Sequence, residues 1–230
     1  MMYMPMSGSS LLVMLVGAAI TIWANYRVKS AYAKYSKIGT QAGLTGADIA
    51  RRMMRDEQIH DVELECIPGE MTDHYDPRAK VVRLSQDVFY GNSIAALGIA
   101  AHEIGHVIQD AKGYSPMKLR GAIYPMASIG STLAWPLIIA GFIVSSMPWL
   151  LTAGICFFAA SVVFTLITLP VEFDASRRAM AALSDGRSMS TEELGGARKV
   201  LSAAALTYVA AAAVAVMELI RLLLIANDRR

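Results

Sequence analysis

Hydrophobic positions along this chain fall into long blocks rather than the short stripes of a soluble domain. No charged residue occurs in residues 1–26, 121–171 or 200–217. A helical crossing of a bilayer needs about 20 apolar residues, so the first block fits one span and the second fits two. The third continues to about residue 226, interrupted only by Glu218 and Arg221, and is read as a fourth crossing. Between the first two blocks the pattern shortens. Thr45 reads as the cap of a short helix with Ile49, Met53 and Met54 on one side. Val62, Leu64 and Cys66 alternate with Glu63 and Glu65, and residues 80–85 form a second β-like run. Pro68-Gly69 and Asp76-Pro77 are turn chemistry. After Asn92-Ser93 comes a helix that is apolar nearly all round, hence buried. The pattern predicts a mainly α integral membrane protein whose transmembrane helices accompany a small α+β unit. Its segments are an anchor (1–26), a cytoplasmic unit (27–120), a transmembrane hairpin (121–170), a second cytoplasmic segment (171–199) and a C-terminal apolar helix (200–230).

Composition agrees with the blocks. The chain is 55% hydrophobic and 17% charged, against a globular norm of roughly 25% charged. A net charge of +2 provides no basic field for a phosphate backbone, which excludes nucleic acid as a partner. Cys66 and Cys156 form no CxxC motif and define no disulfide framework. No Lys or Arg precedes the first apolar block, as a cleaved signal would require, so an uncleaved anchor is expected. Arg27, Lys29, Lys34 and Lys37 follow that block, and Arg177, Arg178, Arg187, Arg198 and Lys199 follow the hairpin. Both basic flanks belong in the cytoplasm. The N-terminus and the uncharged Ser-Met-Pro hairpin tip are then expected outside; a fourth crossing would carry Arg229 and Arg230 outside against the bias, whereas a last segment buried in the protein or lying at the interface would keep it. Glu218 and Arg221, three positions apart, can pair on one helix face.

Candidate chemistry is concentrated in the buried helix, where His102-Glu103-Ile104-Gly105-His106 spells HExxH. Residues i and i+4 share a helix face, so both imidazoles can point at one ion. The Glu beside the first can take a proton from water held at that ion. The rival reading, two histidines satisfied inside an apolar helix, requires a partner for each ring. A catalytic zinc takes a third protein ligand and leaves a position open. Glu172 is the first charged residue after the hairpin and emerges on the side of the HExxH helix, which favours it. His74 is the competitor, and His60 reads as ordinary surface.

The segments Ala-Ala-His-Glu-Ile-Gly-His-Val-Ile-Gln, Thr-Asp-His-Tyr-Asp-Pro-Arg at 72–78 with Arg83-Leu84-Ser85, and Glu-Phe-Asp-Ala-Ser-Arg-Arg-Ala at 172–179 resemble the bacterial neutral zinc metallopeptidases of the membrane. That family is similar in its site layout to the gluzincin membrane proteases. The resemblance covers nearly the whole chain. It implies Zn2+ as cofactor, His102, His106 and Glu172 as its ligands, Glu103 as general base, and a peptide or protein substrate, membrane-associated substrates included. It also implies a bacterial cytoplasmic membrane, and the basic flanks put the zinc-protease unit on its cytoplasmic side. Where relatives carry an Asp four residues after the third ligand to hold a ligand histidine, this chain has Ser176, so Asp174 or Ser176 is expected to substitute.

Other residues have two readings each. Asp73, His74, Tyr75 and Asp76 either line a substrate groove or form a hydrogen-bonded turn. Arg177, Arg178 and Tyr208 can stabilise an oxyanion, although the arginines also suit a membrane flank. Arg51-Arg52 reads as a solvated helix face, and the run 80–85 as an edge strand for an extended substrate. Two other functions fit the residues: a zinc hydrolase acting on a non-peptide amide or lipid-like substrate, and a metal-stabilised membrane assembly factor. Glu103 separates the catalytic readings from the last, because a structural site needs no base.

Overall fold

A computed structural model of the chain describes residues 8–144, 146–185 and 188–227. Arg187, Arg229 and Arg230, on which part of the orientation argument falls, lie outside them, as does the start of the anchor. The elements are α1 (Gly8–Tyr35), α2 (Gly46–Asp56), β1 (Glu63–Ile67), β2 (His74–Asp76), β3 (Val81–Ser85), α3 (Gln86–Phe89), α4 (Ile94–Ala111), α5 (Ser115–Ile143), α6 (Trp149–Leu183) and α7 (Thr191–Asn227). Helix dominates and the sheet is small, as expected of a mainly α membrane protein. The helices α1, α5, α6 and α7 are long and apolar enough to cross a membrane.

The chain divides into two compact units. One comprises Met1–Asn25, Leu119–Leu169 and Thr207–Arg230; the other comprises Tyr26–Lys118 and Pro170–Leu206. In the first, helices approach closely where side chains are smallest. A Cβ on Gly141 would stand 2.4 Å from the Leu151 backbone nitrogen, and one on Gly154 would stand 2.8 Å from that of Ile138. Small residues at such contacts are how helices pack where lipid removes the hydrophobic drive between them. Pro125 and Pro136 sit inside α5, as membrane helices tolerate.

The second unit has a closed core around α4. Ile49 from α2, Val82 and Leu84 from β3, and Leu97 and Ile104 from α4 are essentially inaccessible, with Leu183 from α6 completing the cluster. Thr45 caps α2 through the Asp48 backbone N–H at 3.1 Å, and Asp48 returns a bond to the Thr45 backbone. Ser93 caps α4 by accepting from the Ala96 N–H. Both caps lie where the polar residues preceding the apolar pattern placed them.

Strand order is β1-β3-β2, with β1 parallel and β2 antiparallel to β3. This overturns the edge-strand reading of residues 80–85. β3 is buried and paired on both sides, so no edge is free there for an extended peptide; its Val-Val-Arg-Leu-Ser run reflects a central strand. The solvated-face reading also fails for Arg52, which bonds Asp185 and, at 3.0 Å, the Ser188 hydroxyl. In α6 the helix runs unbroken through Pro170 to Leu183, so Glu172 is held on a rigid element rather than in a loop.

Candidate metal centre

The HExxH residues lie in α4 and Glu172 lies in α6, 70 positions after His102. Gly105 lets the two helices meet: a Cβ there would stand 2.5 Å from the Ala175 carbonyl oxygen. No side chain fits at that distance, so the x position before the second histidine is occupied by the residue that permits contact. On the far face of α4, Leu97, Ala101, Ile104 and Ile108 enter the core. The helix is therefore fixed on one side while it presents its histidines on the other.

His102 Nε2 is 3.3 Å from Glu172 Oε2, and His106 Nε2 is 3.6 Å from the same oxygen. One ligand atom from each of these residues lies within 4.8 Å of the others, and all three residues are at most partly exposed. Tetrahedral zinc with bonds of about 2.0–2.1 Å has ligand separations of roughly 3.4 Å, which these two distances bracket. The donor set of two imidazoles and one carboxylate also suits zinc. The outer ring nitrogens are engaged elsewhere: His102 Nδ1 is 3.1 Å from Ser176 Oγ, and His106 Nδ1 is 3.0 Å from Gln109 Oε1. Burial opposes a proton on His106, yet bonding to Glu172 and the carboxylates of Glu103 and Glu172 raise its pKa above the ordinary imidazole value. Protons and metal therefore compete for this ring.

Glu103 is 8% exposed and has no hydrogen-bond partner among the described residues. No fully enclosed side-chain nitrogen or oxygen there lacks a partner, so its carboxylate must keep an accessible edge. A carboxylate so placed beside the histidines can accept a proton from an entering molecule.

The remaining candidates separate by location. His74 is exposed at the start of β2, with Nδ1 2.8 Å from the Thr72 carbonyl oxygen, and it is not part of the three-residue cluster. Asp73 accepts from the Ser85 backbone at 2.8 Å and from its hydroxyl; burial nevertheless raises its pKa. Asp76 accepts from the Arg78 and Ala79 N–H groups, which is the turn reading. The Tyr75 hydroxyl donates to Asp110 at 2.8 Å; burial and that bond push its pKa up, so it stays a donor. Lys80 bonds the same carboxylate, tying the β2–β3 turn to the end of α4. Arg177 and Arg178 both bond Asp174, the latter at 2.6 Å. Tyr208 is 38% exposed on α7, in the other unit. Nothing in the sequence alone assigns Gln109 a role, although its position three residues after His106 places it on the same face.

A family model described as "Putative neutral zinc metallopeptidase" matches residues 10–227. The chain belongs to this family. Among curated proteins, the "Putative membrane protease YugP" of Bacillus subtilis (strain 168) is 45% identical over 206 residues, covering 90% of this chain and 91% of that protein. No solved structure matches. Zinc is thus the metal of the family, and the cluster of His102, His106 and Glu172 could hold it. With four long apolar helices among the described residues and a relative named for the membrane, the chain is a membrane protein.

Proposed function

We propose that this protein is a membrane-embedded zinc endopeptidase in which His102, His106 and Glu172 hold the ion and Glu103 is the general base. The observation that carries the reading is the convergence of three ligand atoms beside a buried carboxylate with an accessible edge. Zinc bound there would supply Lewis acidity, making water more acidic and a scissile carbonyl more electrophilic. Glu103 takes the proton of the attacking water on a carboxylate oxygen and returns it to the leaving amine nitrogen. Glu172 contributes negative charge that offsets part of the ion's. A structural zinc is normally closed by four protein ligands, whereas the cluster among the described residues has three; this favours catalysis over a metal-stabilised assembly factor. The substrate is a peptide or protein at the membrane, and the lipid bilayer is the standing partner.

The test is cleavage of fluorescent casein by the detergent-solubilised full chain, with zinc content measured in parallel. Glu103→Gln keeps the side chain's size but cannot accept the proton. It should retain zinc and lose about 10²–10⁴-fold in rate; a wild-type rate would remove Glu103 as the base. We also place the site on the cytoplasmic side of the cytoplasmic membrane, because Arg27, Lys29, Arg177, Arg178, Arg198 and Lys199 all flank it. A cysteine replacing Ser146 should react with an impermeant reagent from outside intact cells, and one replacing the equally exposed Ser184 should not. The reverse pattern would invert the topology.

A further inference from the structure

We propose that Gln109 is a positioning residue that fixes the ring tautomer of His106, leaving Nε2 bare for the metal. The inference rests on the reading of His106 as a zinc ligand. Gln109 is fully buried. Its Nε2 lies 2.7 Å from the Val171 carbonyl oxygen and 3.0 Å from Asp174 Oδ2. Both are acceptors, and an amide has its two donors on nitrogen and none on oxygen. A flipped amide would set an oxygen against two oxygens, so the orientation is dictated by the partners. Oε1 then necessarily faces His106 Nδ1, 3.0 Å away. That oxygen cannot donate. Nδ1 of His106 must therefore be protonated, and in the neutral ring Nε2, the nitrogen facing Glu172 at 3.6 Å, is left with a free lone pair.

The chain of constraint extends outward. Arg177 and Arg178 bond Asp174 and hold it as an acceptor; Asp174 orients Gln109; Gln109 orients His106. Because Val171 precedes Glu172, the same amide also ties α4 to α6 one residue before the third ligand. His102 differs, since its Nδ1 faces the Ser176 hydroxyl at 3.1 Å, and a hydroxyl both donates and accepts. Its tautomer is not enforced from outside. Asp174 therefore supports a ligand histidine through an intervening amide, while Ser176 touches the other histidine directly.

A mere tie between helices would not control the ring proton, and that difference sets the experiment. The full-length protein in detergent is stripped of zinc and held at a pH where its imidazoles are neutral. Ring ¹⁵N shifts of His106 are then recorded, with zinc affinity by chelator competition and thermal unfolding of the zinc-free protein. Wild type should show His106 as the Nδ1–H form, the reverse of the preference of free histidine in water. Gln109→Met matches the volume without the bonds; it should lose that preference and bind zinc about 10–100-fold more weakly. The wild-type ring shifts need no variant, so the proposal remains open to test if the Met variant fails to fold. His106 in the Nε2–H form in wild type, or an unchanged tautomer in Gln109→Met, would overturn the proposal. The Nδ1–H form in a wild-type protein whose zinc survives His106→Ala would support the control of the ring by Gln109 and overturn only the ligand reading.

Discussion

In the unit that holds most of the apolar blocks, Leu12, Leu15, Ile22, Met126 and Ile143 are more than half exposed, whereas Ile49, Val82, Leu84, Leu97 and Ile104 of the other unit are shut away completely or nearly so. Polar side chains divide in the same direction, with Ser161 of the first unit, which is 3.4 Å from both the Phe157 carbonyl of its own helix and the Ala127 carbonyl of α5, as an exception. Thr21, Thr132, Thr165 and Thr168 donate to carbonyls three or four residues back on their own helices. In the other unit, polar side chains reach across the sequence, from His102 to Glu172 and Ser176, and from Gln109 to Asp174. Lipid solvates apolar surface but cannot satisfy backbone groups, so each spanning helix closes its own hydrogen bonds. The second unit gains from burying apolar surface and can therefore hold a long-range polar network in place. The candidate metal centre belongs to the second kind of construction.

Truncating one leucine in each unit is the strongest way to break this comparison. Leu97→Ala removes a fully buried side chain and should cost about 2–5 kcal/mol, read as an early loss of α4 protection in hydrogen exchange. Leu15→Ala, in an exposed position, should leave exchange protection nearly unchanged; equal effects would mean that the units do not differ in packing. A smaller effect is expected from Gly105→Ala. The added methyl meets the Ala175 carbonyl and should destabilise by about 1–3 kcal/mol while weakening zinc binding. Gly121→Ala, which meets no atom within 4 Å, is its control in chelator competition. Unchanged zinc affinity in Gly105→Ala would show that the α4–α6 approach does not set the site.

Much of this was legible because it is local. Caps at Thr45 and Ser93, the apolar blocks and the HExxH spacing are all written within a few residues of where they act. Glu172 could be singled out because it is the first charge after an uncharged hairpin, and the structure brings it to both histidines. What was illegible is long-range. Alternation along residues 80–85 could not say that β3 has neighbours on both sides, nor could a local pattern say that Arg52 meets Asp185. Gln109 reads as one more residue on a buried helix until Val171 and Asp174 arrive from α6 to fix its amide.

The central claim, that two residues of α4 and one of α6 together make a zinc site, is tested most directly by metal content. Zinc per chain should be measured in purified wild type and in Glu172→Gln, which keeps the shape of the side chain but removes its charge. One zinc per wild-type chain and its loss from the variant is the predicted result. Undiminished zinc in Glu172→Gln would contradict the site.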